Sequence, residues 1–238
     1  MDVTQLSANA QDYLKVIWDL QEWDEGPVQP SAVAERTGMK LSTVSGALSR
    51  LVDAGLVEHK PYGKVGLTPA GVRSAVTMVR RHRLLETFLV EVLDYSWDEV
   101  HEEADALEHA VSDKMIEKID QYLDHPTLDP HGDAIPSETG TIPVIPKTQP
   151  LSQVEEGNTI RVHRVSDEDS TMLRYLSKHG IGHGTLLQVV RKQEEEPVTL
   201  RVVTDSADQP DQAVGRQGDD LQLNFAQAAL IQVSPVLA

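Results

Sequence analysis

Six prolines crowd one short stretch of the chain, at positions 126, 130, 136, 143, 146 and 150. Each one removes a backbone donor and fixes φ, so no long helix can cross the segment, and an extended connector is the expected result. The chain divides there. Before it, apolar residues recur at helical spacing; after it, short β-rich runs alternate with turn residues. The expected fold class is therefore mainly α with a small β domain, divided as 1–72, 73–140, a Pro-rich linker at 141–150, and 151–238.

The first helix is read over Ser7 to Glu22, from the buried stripe Tyr13, Leu14, Ile17, Trp18 and Leu20. Pro30-Ser31 opens a short helix that Gly38 stops. Ser42 to Ala54 follows, with Val44, Leu48 and Leu51 at i, i+4 and i+7. This is helix, tight turn, helix. Leu56 to Lys60 and Lys64 to Leu67 flank Pro61-Tyr62-Gly63 as a hairpin, the wing of a winged helix-turn-helix. Thr68-Pro69 then supplies an N-cap and a Pro at the first helical position, and a second long helix is expected from about Asp98 to Leu123. Two such amphipathic helices after a DNA-binding module suit a dimer interface better than a monomeric bundle core. Beyond the prolines, strands are expected at Thr159–Val165, Leu186–Arg191, Val198–Val203, Leu221–Asn224 and Ile231–Val233, with a helix at Glu168–Lys178, which together suggest a small barrel.

Composition narrows the chemistry. With no cysteine there is no thiolate, so any metal must be held by His, Asp, Glu and backbone oxygens. The formal charge of -17 argues at first sight against nucleic acid. Its distribution answers the objection: residues 1–75 carry 7 basic and 9 acidic side chains, whereas 76–140 carry 5 and 16. The acid sits in the middle, where it suits a cation. No basic start leads into an apolar run at the N-terminus, and no apolar run is long enough to span a bilayer, so a cytoplasmic protein with no membrane role is expected.

Ser42, Thr43, Ser45, Gly46, Ser49 and Arg50 lie off the apolar stripe of the third helix. Short hydroxyls and a bare Gly46 let the helix approach phosphates and base edges, Arg50 reaches a phosphate, and Lys40, Lys60 and Lys64 add positive charge at the turn and wing. A second constellation lies further on. His101, Asp105, Glu108 and His109 fall at i, i+4, i+7 and i+8, within about 100° of one helical face at about 100° per residue. His82 and Glu86 make another i, i+4 pair on the preceding helix, and Asp12 on the first helix could reach a site between domains. Imidazole and carboxylate donors suit manganese or iron(II), and donor type alone does not select against copper or zinc.

These motifs carry a resemblance. Asp12-Tyr13-Leu14, Ser42-Thr43-Val44-Ser45, Leu67-Thr68-Pro69-Ala70-Gly71, Arg81-His82-Arg83-Leu84-Leu85-Glu86, Glu108-His109-Ala110-Val111-Ser112-Asp113 and Pro130-His131-Gly132-Asp133-Ala134-Ile135-Pro136 together resemble the DtxR/MntR family of metal-dependent repressors, over nearly the whole chain. The resemblance implies a winged helix-turn-helix domain, a helical metal-binding and dimerisation domain, and an SH3-like (FeoA-like) C-terminal domain. It implies a primary metal site of Asp12, Asp105, Glu108 and His109, and a second site of His82, Glu86 and His101, to which Asp167, in preference to Glu168, would add a C-terminal oxygen. Iron-responsive members look to have Met and Cys where this chain has Asp12 and Asp105, so Mn²⁺ is the expected metal, with Fe²⁺ the alternative. Lys15 stands where manganese members lacking the C-terminal domain carry Glu, so two separated sites are expected rather than a close binuclear pair. Gly46 stands where some members have a base-reading Gln, and that contact is not carried over.

The expected function is thus repression through metal-dependent binding of a homodimer to an inverted-repeat operator in double-stranded DNA. Two other readings compete: a winged-helix regulator sensing an organic ligand, and a metallohydrolase. The second lacks its motif, because both zincin patterns need His where Asp105 stands. His59, His125, His131, His163, His179 and His183 are read as structural or solvated, and Arg80, Arg81 and Arg83 as a solvated face pairing with nearby acids.

Overall fold

The computed structural model describes residues 3–23, 26–193, 196–203 and 220–236; the extreme ends of the first and last expected domains lie outside the described residues. The chain opens with α1 (Ala8–Trp23), α2 (Pro30–Thr37) and α3 (Leu41–Asp53). Pro30 sits in the first turn of α2, and Gly38, in the left-handed region at φ 64, ends it. Leu14, Ile17, Val33, Val44, Leu48 and Leu51 bury the facing stripes of the three helices in one core, each large side chain contributing about 1.5–3 kcal/mol. The wing is β1 (Val57–His59) against β2 (Val65–Leu67), antiparallel, with Val28 bridging to Val65 on the other side.

α4 (Pro69–Leu93) starts on the Thr68 cap, whose Oγ1 accepts from Gly71 N–H at 3.1 Å. A Cβ on Gly71 would strike the carbonyl of Leu56, so only glycine lets α4 lie this close to the base of the wing. At 25 residues, α4 is about 37 Å long at 1.5 Å per residue. It therefore packs against α1 at one end and carries the second domain at the other. The long helix expected over Asp98–Leu123 is instead two, α5 (Val100–Glu108) and α6 (Asp113–Tyr122). Ser112 Oγ caps α6 by accepting from Met115 N–H, and the Arg81 guanidinium donates to the carbonyls of Glu108 and Val111 that the break frees. Leu84, Leu85, Leu89, Val100, Ala104, Ile116, Ile119 and Ile135 form the core of this domain.

Pro130-His131-Gly132 is not an extended connector but a buried turn. Asp129 Oδ1 accepts from the amides of His131 and Asp133, and the His131 carbonyl accepts from Val165 N–H. Gly132, at φ 89, could carry no Cβ without striking the carbonyl of His163. The C-terminal region is a six-stranded antiparallel sheet in the order β3 (Gln149–Pro150), β8 (Ile231–Pro235), β4 (Thr159–Val165), β5 (Leu186–Arg191), β6 (Val198–Val202), β7 (Leu221–Leu223), with α7 (Ser170–Lys178) and the short α8 (Phe225–Ala229) closing its core. The two-residue β3, at the end of the expected linker, and α8 were not legible as periodicity.

An ionic seam fixes the three parts. Glu22 at the end of α1 accepts from Arg83 of α4 and from Arg164 of β4, both at 2.7 Å, while the Arg164 guanidinium lies 4.2 Å over the Trp23 ring. Arg36 of α2 pairs with Glu168 before α7.

Candidate metal centre

His82 and Glu86 lie one turn apart on α4, with His82 Nε2 3.0 Å from Glu86 Oε1. α5 brings His101 against them, with Nδ1 3.2 Å from His82 Nε2 and 3.4 Å from Glu86 Oε1. The loop after β4 adds Asp167, whose Oδ2 is 2.8 Å from the same His101 nitrogen. One donor atom from each of these four residues falls within 4.8 Å of the others, so the expected second set converges from all sides. Burial alone would push Glu86 up, but the charge and hydrogen bond of His82, with the His101 and His131 imidazoles close by, hold it well below the ordinary carboxylate range. Burial pulls His101 down, yet hydrogen bonds to Asp167 and Glu86 outweigh it and lift the imidazole to about 9.

His131, read from sequence as a turn residue, belongs to this neighbourhood. It is fully buried, stacks on Trp97 at a centroid distance of 5.6 Å, and bonds the Trp97 carbonyl through Nε2 at 2.7 Å. Nδ1 has no hydrogen-bond partner and faces Glu86 Oε2 at 3.8 Å. Burial lowers it, but the Glu86 carboxylate facing it raises it to about 10. Asp129, pushed to about 7 by burial and by the nearby Glu86 charge, forms a third compact donor set with Glu86 and His131. No periodicity could have found His131. Its burial depends on Trp97 and β4, which are remote in sequence.

The expected primary set divides. Asp12 of α1 lies 2.8 Å from His109 Nε2, and with Glu108 the two form one tight donor set across the domain boundary. The break between α5 and α6 makes this reachable, because His109 is the C-cap of α5. Gln11 Oε1, 2.7 Å from His109 Nδ1, fixes the imidazole so that Nε2 faces Asp12. Asp105 falls elsewhere, with His82 and Glu108, and is held by Lys15 Nζ at 2.6 Å. Does the remaining trio fit a cation? Glu108 is fully buried, and its Oε1 has no hydrogen-bond partner while lying 3.7 Å from His109 Nε2. An unpaired buried carboxylate oxygen costs about 1–3 kcal/mol or more, a penalty that a bound cation removes. Oxygen and imidazole donors around it fit a divalent first-row ion. Burial pushes Glu108 up, but hydrogen bonding to His82 and the Lys15 charge hold it down, so it stays a carboxylate ready to ligate.

Lys40, Ser42, Thr43, Ser45, Gly46 and Arg50 are all exposed on one side of α3 and its N-terminal turn. A Cβ on Gly46 would meet only the Arg50 guanidinium, at 3.8 Å, so the helix surface there is open. Lys60 and Lys64 are half-buried at the wing, and Lys60 Nζ pairs with Glu58 at 2.8 Å. At the tip, Tyr62 is 94% exposed, a groove-sized aromatic that the sequence reading passed over. Arg80, Arg81 and Arg83 do pair with acids, with Asp120, Asp113 and Glu22, but Arg81 and Arg83 are buried rather than solvated.

Residues 5–65 match the model of the iron dependent repressor N-terminal DNA binding domain, 68–137 that of the iron dependent repressor metal binding and dimerisation domain, and 149–235 that of the FeoA domain. A solved manganese-dependent transcriptional repressor in complex with manganese is 42% identical, covering 95% of this chain and 100% of that one at a TM-score of 0.85. The chain belongs to the iron- and manganese-dependent repressor family. The structure of the manganese regulator SloR is 30% identical over 97% of this chain and 100% of its own, at a TM-score of 0.76. The diphtheria toxin repressor of Corynebacterium efficiens is 29% identical over 197 residues, 79% of this chain and 85% of that protein. As a member of the family, the protein is a metal-dependent, DNA-binding, dimerising transcriptional repressor and not an enzyme. No helix among the described residues is long and apolar enough to cross a membrane.

Proposed function

We propose that this repressor responds to manganese, with iron(II) the alternative, and that the loaded homodimer binds an inverted-repeat operator in the cytoplasm. The observation that carries this is the Asp12–Glu108–His109 set. One of its donors comes from α1, which packs on the recognition helix, and two come from α5 and its cap, so an ion held there would tie the DNA-binding domain to the dimerisation domain. The ion supplies positive charge among crowded carboxylates. The chain supplies orientation: Gln11 aims His109, and burial keeps Glu108 dry. His82, Glu86, His101 and Asp167, with His131 behind Glu86, would hold a second ion between the helical and C-terminal domains. Asp105 would join either site only by leaving Lys15.

On DNA, Lys40, Ser42, Thr43, Ser45, Gly46 and Arg50 would meet the major groove, and Lys60 and Lys64 the flanking phosphates. The exposed apolar side chains Leu93, Tyr95, Met115 and Tyr122 on the helical domain fit a face covered in the dimer. The proposed domain limits are 72/73 and 140/141; the second falls between the family matches at 68–137 and 149–235, while the first lies five residues inside the match that begins at 68. The test is operator binding across Mn²⁺ and Fe²⁺ series at matched free concentrations. Binding is expected to vanish in chelator and to return at lower free Mn²⁺ than Fe²⁺. Equal affinity with and without chelator would remove metal as the signal.

A further inference from the structure

Among the described residues, four groups of side chains bring three or more metal-type donors within reach of one another, and one of these groups already contains a cation. Lys15 Nζ, on the 8% exposed Lys15 of α1, sits amid His82, Asp105 and Glu108. It lies 2.6 Å from Asp105 Oδ1, 2.8 Å from Glu108 Oε2 and 3.2 Å from His82 Nδ1. An ammonium has three donors; Asp105 Oδ1 and Glu108 Oε2 accept two of them, while His82 Nδ1, 3.2 Å from the ammonium, lies 2.7 Å from Glu108 Oε2 and donates to that carboxylate. The position also lies between the two proposed sites. His82 faces one through Nε2, and Glu108 the other through Oε1, while their remaining atoms, Nδ1 and Oε2, bond each other at 2.7 Å beside the ammonium.

We propose that Lys15 is a tethered cation that fills the His82–Asp105–Glu108 centre, closes it to a divalent ion, and thereby keeps the two flanking metal sites separate. The inference rests on the metal reading given above. By engaging Oε2, the ammonium also decides that Oε1 is the Glu108 oxygen left facing Asp12 and His109. A second effect follows from charge. A divalent ion at this position would stand close to two others, whereas a single charge borne on a side chain neutralises the same carboxylates and cannot dissociate. The resident ammonium thus sets how many ions the chain takes, without being a ligand itself.

The test counts metal. Full-length wild type, Lys15→Met and Lys15→Arg are equilibrated with Mn²⁺ by dialysis, bound manganese is measured by elemental analysis, and melting is followed in chelator and in Mn²⁺. Methionine is one atom shorter and uncharged, so it removes the ammonium and opens three donors to an ion. Lys15→Met should bind one more Mn²⁺ per chain than wild type, melt about 10 °C lower in chelator because the buried carboxylates lose their counter-ion, and recover in Mn²⁺. Lys15→Arg, which retains the charge, should keep the wild-type count. An unchanged count in a folded Lys15→Met protein overturns the proposal, and so does a Lys15→Met protein that fails to fold even with Mn²⁺, since the ion then cannot replace the ammonium. Wild type that takes up no Mn²⁺ would instead overturn the reading of the flanking sites.

Discussion

The two proposed metal sites differ in what they lack. Around His82, Glu86, His101 and Asp167, the four side chains already bond one another, and Glu86 is 1% exposed. At Asp12, Glu108 and His109, one buried oxygen has no partner, and Asp12 is 43% exposed. The first site is a satisfied ion-pair network that a metal must enter by displacing protons. The second is an open set at a domain boundary, waiting for charge. A satisfied network stabilises the fold whether or not metal is present, whereas an incomplete one changes the fold's geometry only when filled. Stability should therefore live mainly at the first site and signalling mainly at the second.

The sharpest way to break that division is Glu86→Ala. It strands His82, His101 and His131, three imidazoles that all lean on this carboxylate. Removing one partner of such a buried network typically costs about 3–5 kcal/mol. Chemical denaturation of the metal-free protein should report a loss of that size. A loss below about 1 kcal/mol would mean the network is not structural.

Asp12→Ala should do the reverse. The half-exposed Asp12 pairs with His109 at the surface, so metal-free stability should move by less than about 1 kcal/mol. Mn²⁺-dependent operator binding should fall by at least about 10–100-fold, the usual effect of losing even a residue that only supports a ligand. Fluorescence anisotropy with a labelled promoter fragment measures it. An Asp12→Ala protein that still answers Mn²⁺ at the wild-type concentration would move signalling to the other site.

What could be read beforehand follows the same boundary between local and remote causes. Apart from the helix expected over Asp98–Leu123, the helices, the wing and all five expected strands lie within a residue or two of their expected ends, because apolar period, Pro30, Gly38 and the Thr68 cap all act locally. His82, Glu86, His101 and Asp167 do meet, the first pair by helical phase. The single helix drawn through Asp98–Leu123 was wrong because an amphipathic pattern ran on across Ser112, whose capping role appears only when the helix stops there. Asp105 was grouped with Asp12 by the family resemblance, and phase on one helix could not register that α1 sends an ammonium to take it. His131 escaped because its partners, Trp97 and Glu86, come from two other elements.

Acidity separates the sites more gently. His101 and His131 titrate near 9 and 10 in the folded metal-free protein, against about 6.5 when unfolded. A raised folded pKa contributes stability that is complete below about 6.5 and is lost as pH rises through the folded value. The metal-free protein should thus melt progressively lower from about pH 7 to 10, while Mn²⁺ affinity of this site climbs over the same window because fewer protons must leave. Calorimetric titration of Asp12→Ala, which retains this site alone, would reveal the slope. A flat affinity profile would show that the imidazoles are already neutral.

The smallest effect concerns metal choice, and it asks which of the two sites selects the ion. Asp12→Met puts a soft thioether where the open site has a hard oxygen, without touching Lys15, His82 or the ion-pair network. Asp105→Cys is a different change, because Asp105 is bonded to Lys15 and stands 3.2 Å from His82 Nδ1. It removes a counter-charge from the ammonium as well as a candidate ligand. The order of activation by Mn²⁺ and Fe²⁺ should therefore be compared across Asp12→Met, Asp105→Cys and the double variant. Manganese is the weakest binder of the divalent first-row series, so preference for it must come from a site that gives softer or stronger binders no added advantage. Asp12→Met alone should narrow or reverse the wild-type order by a few-fold, about 1 kcal/mol, with the double variant going further. If Asp12→Met leaves the order intact and only changes around His82, Glu86 and His101 alter it, then the satisfied network chooses the metal, and the open site merely reports that one has arrived.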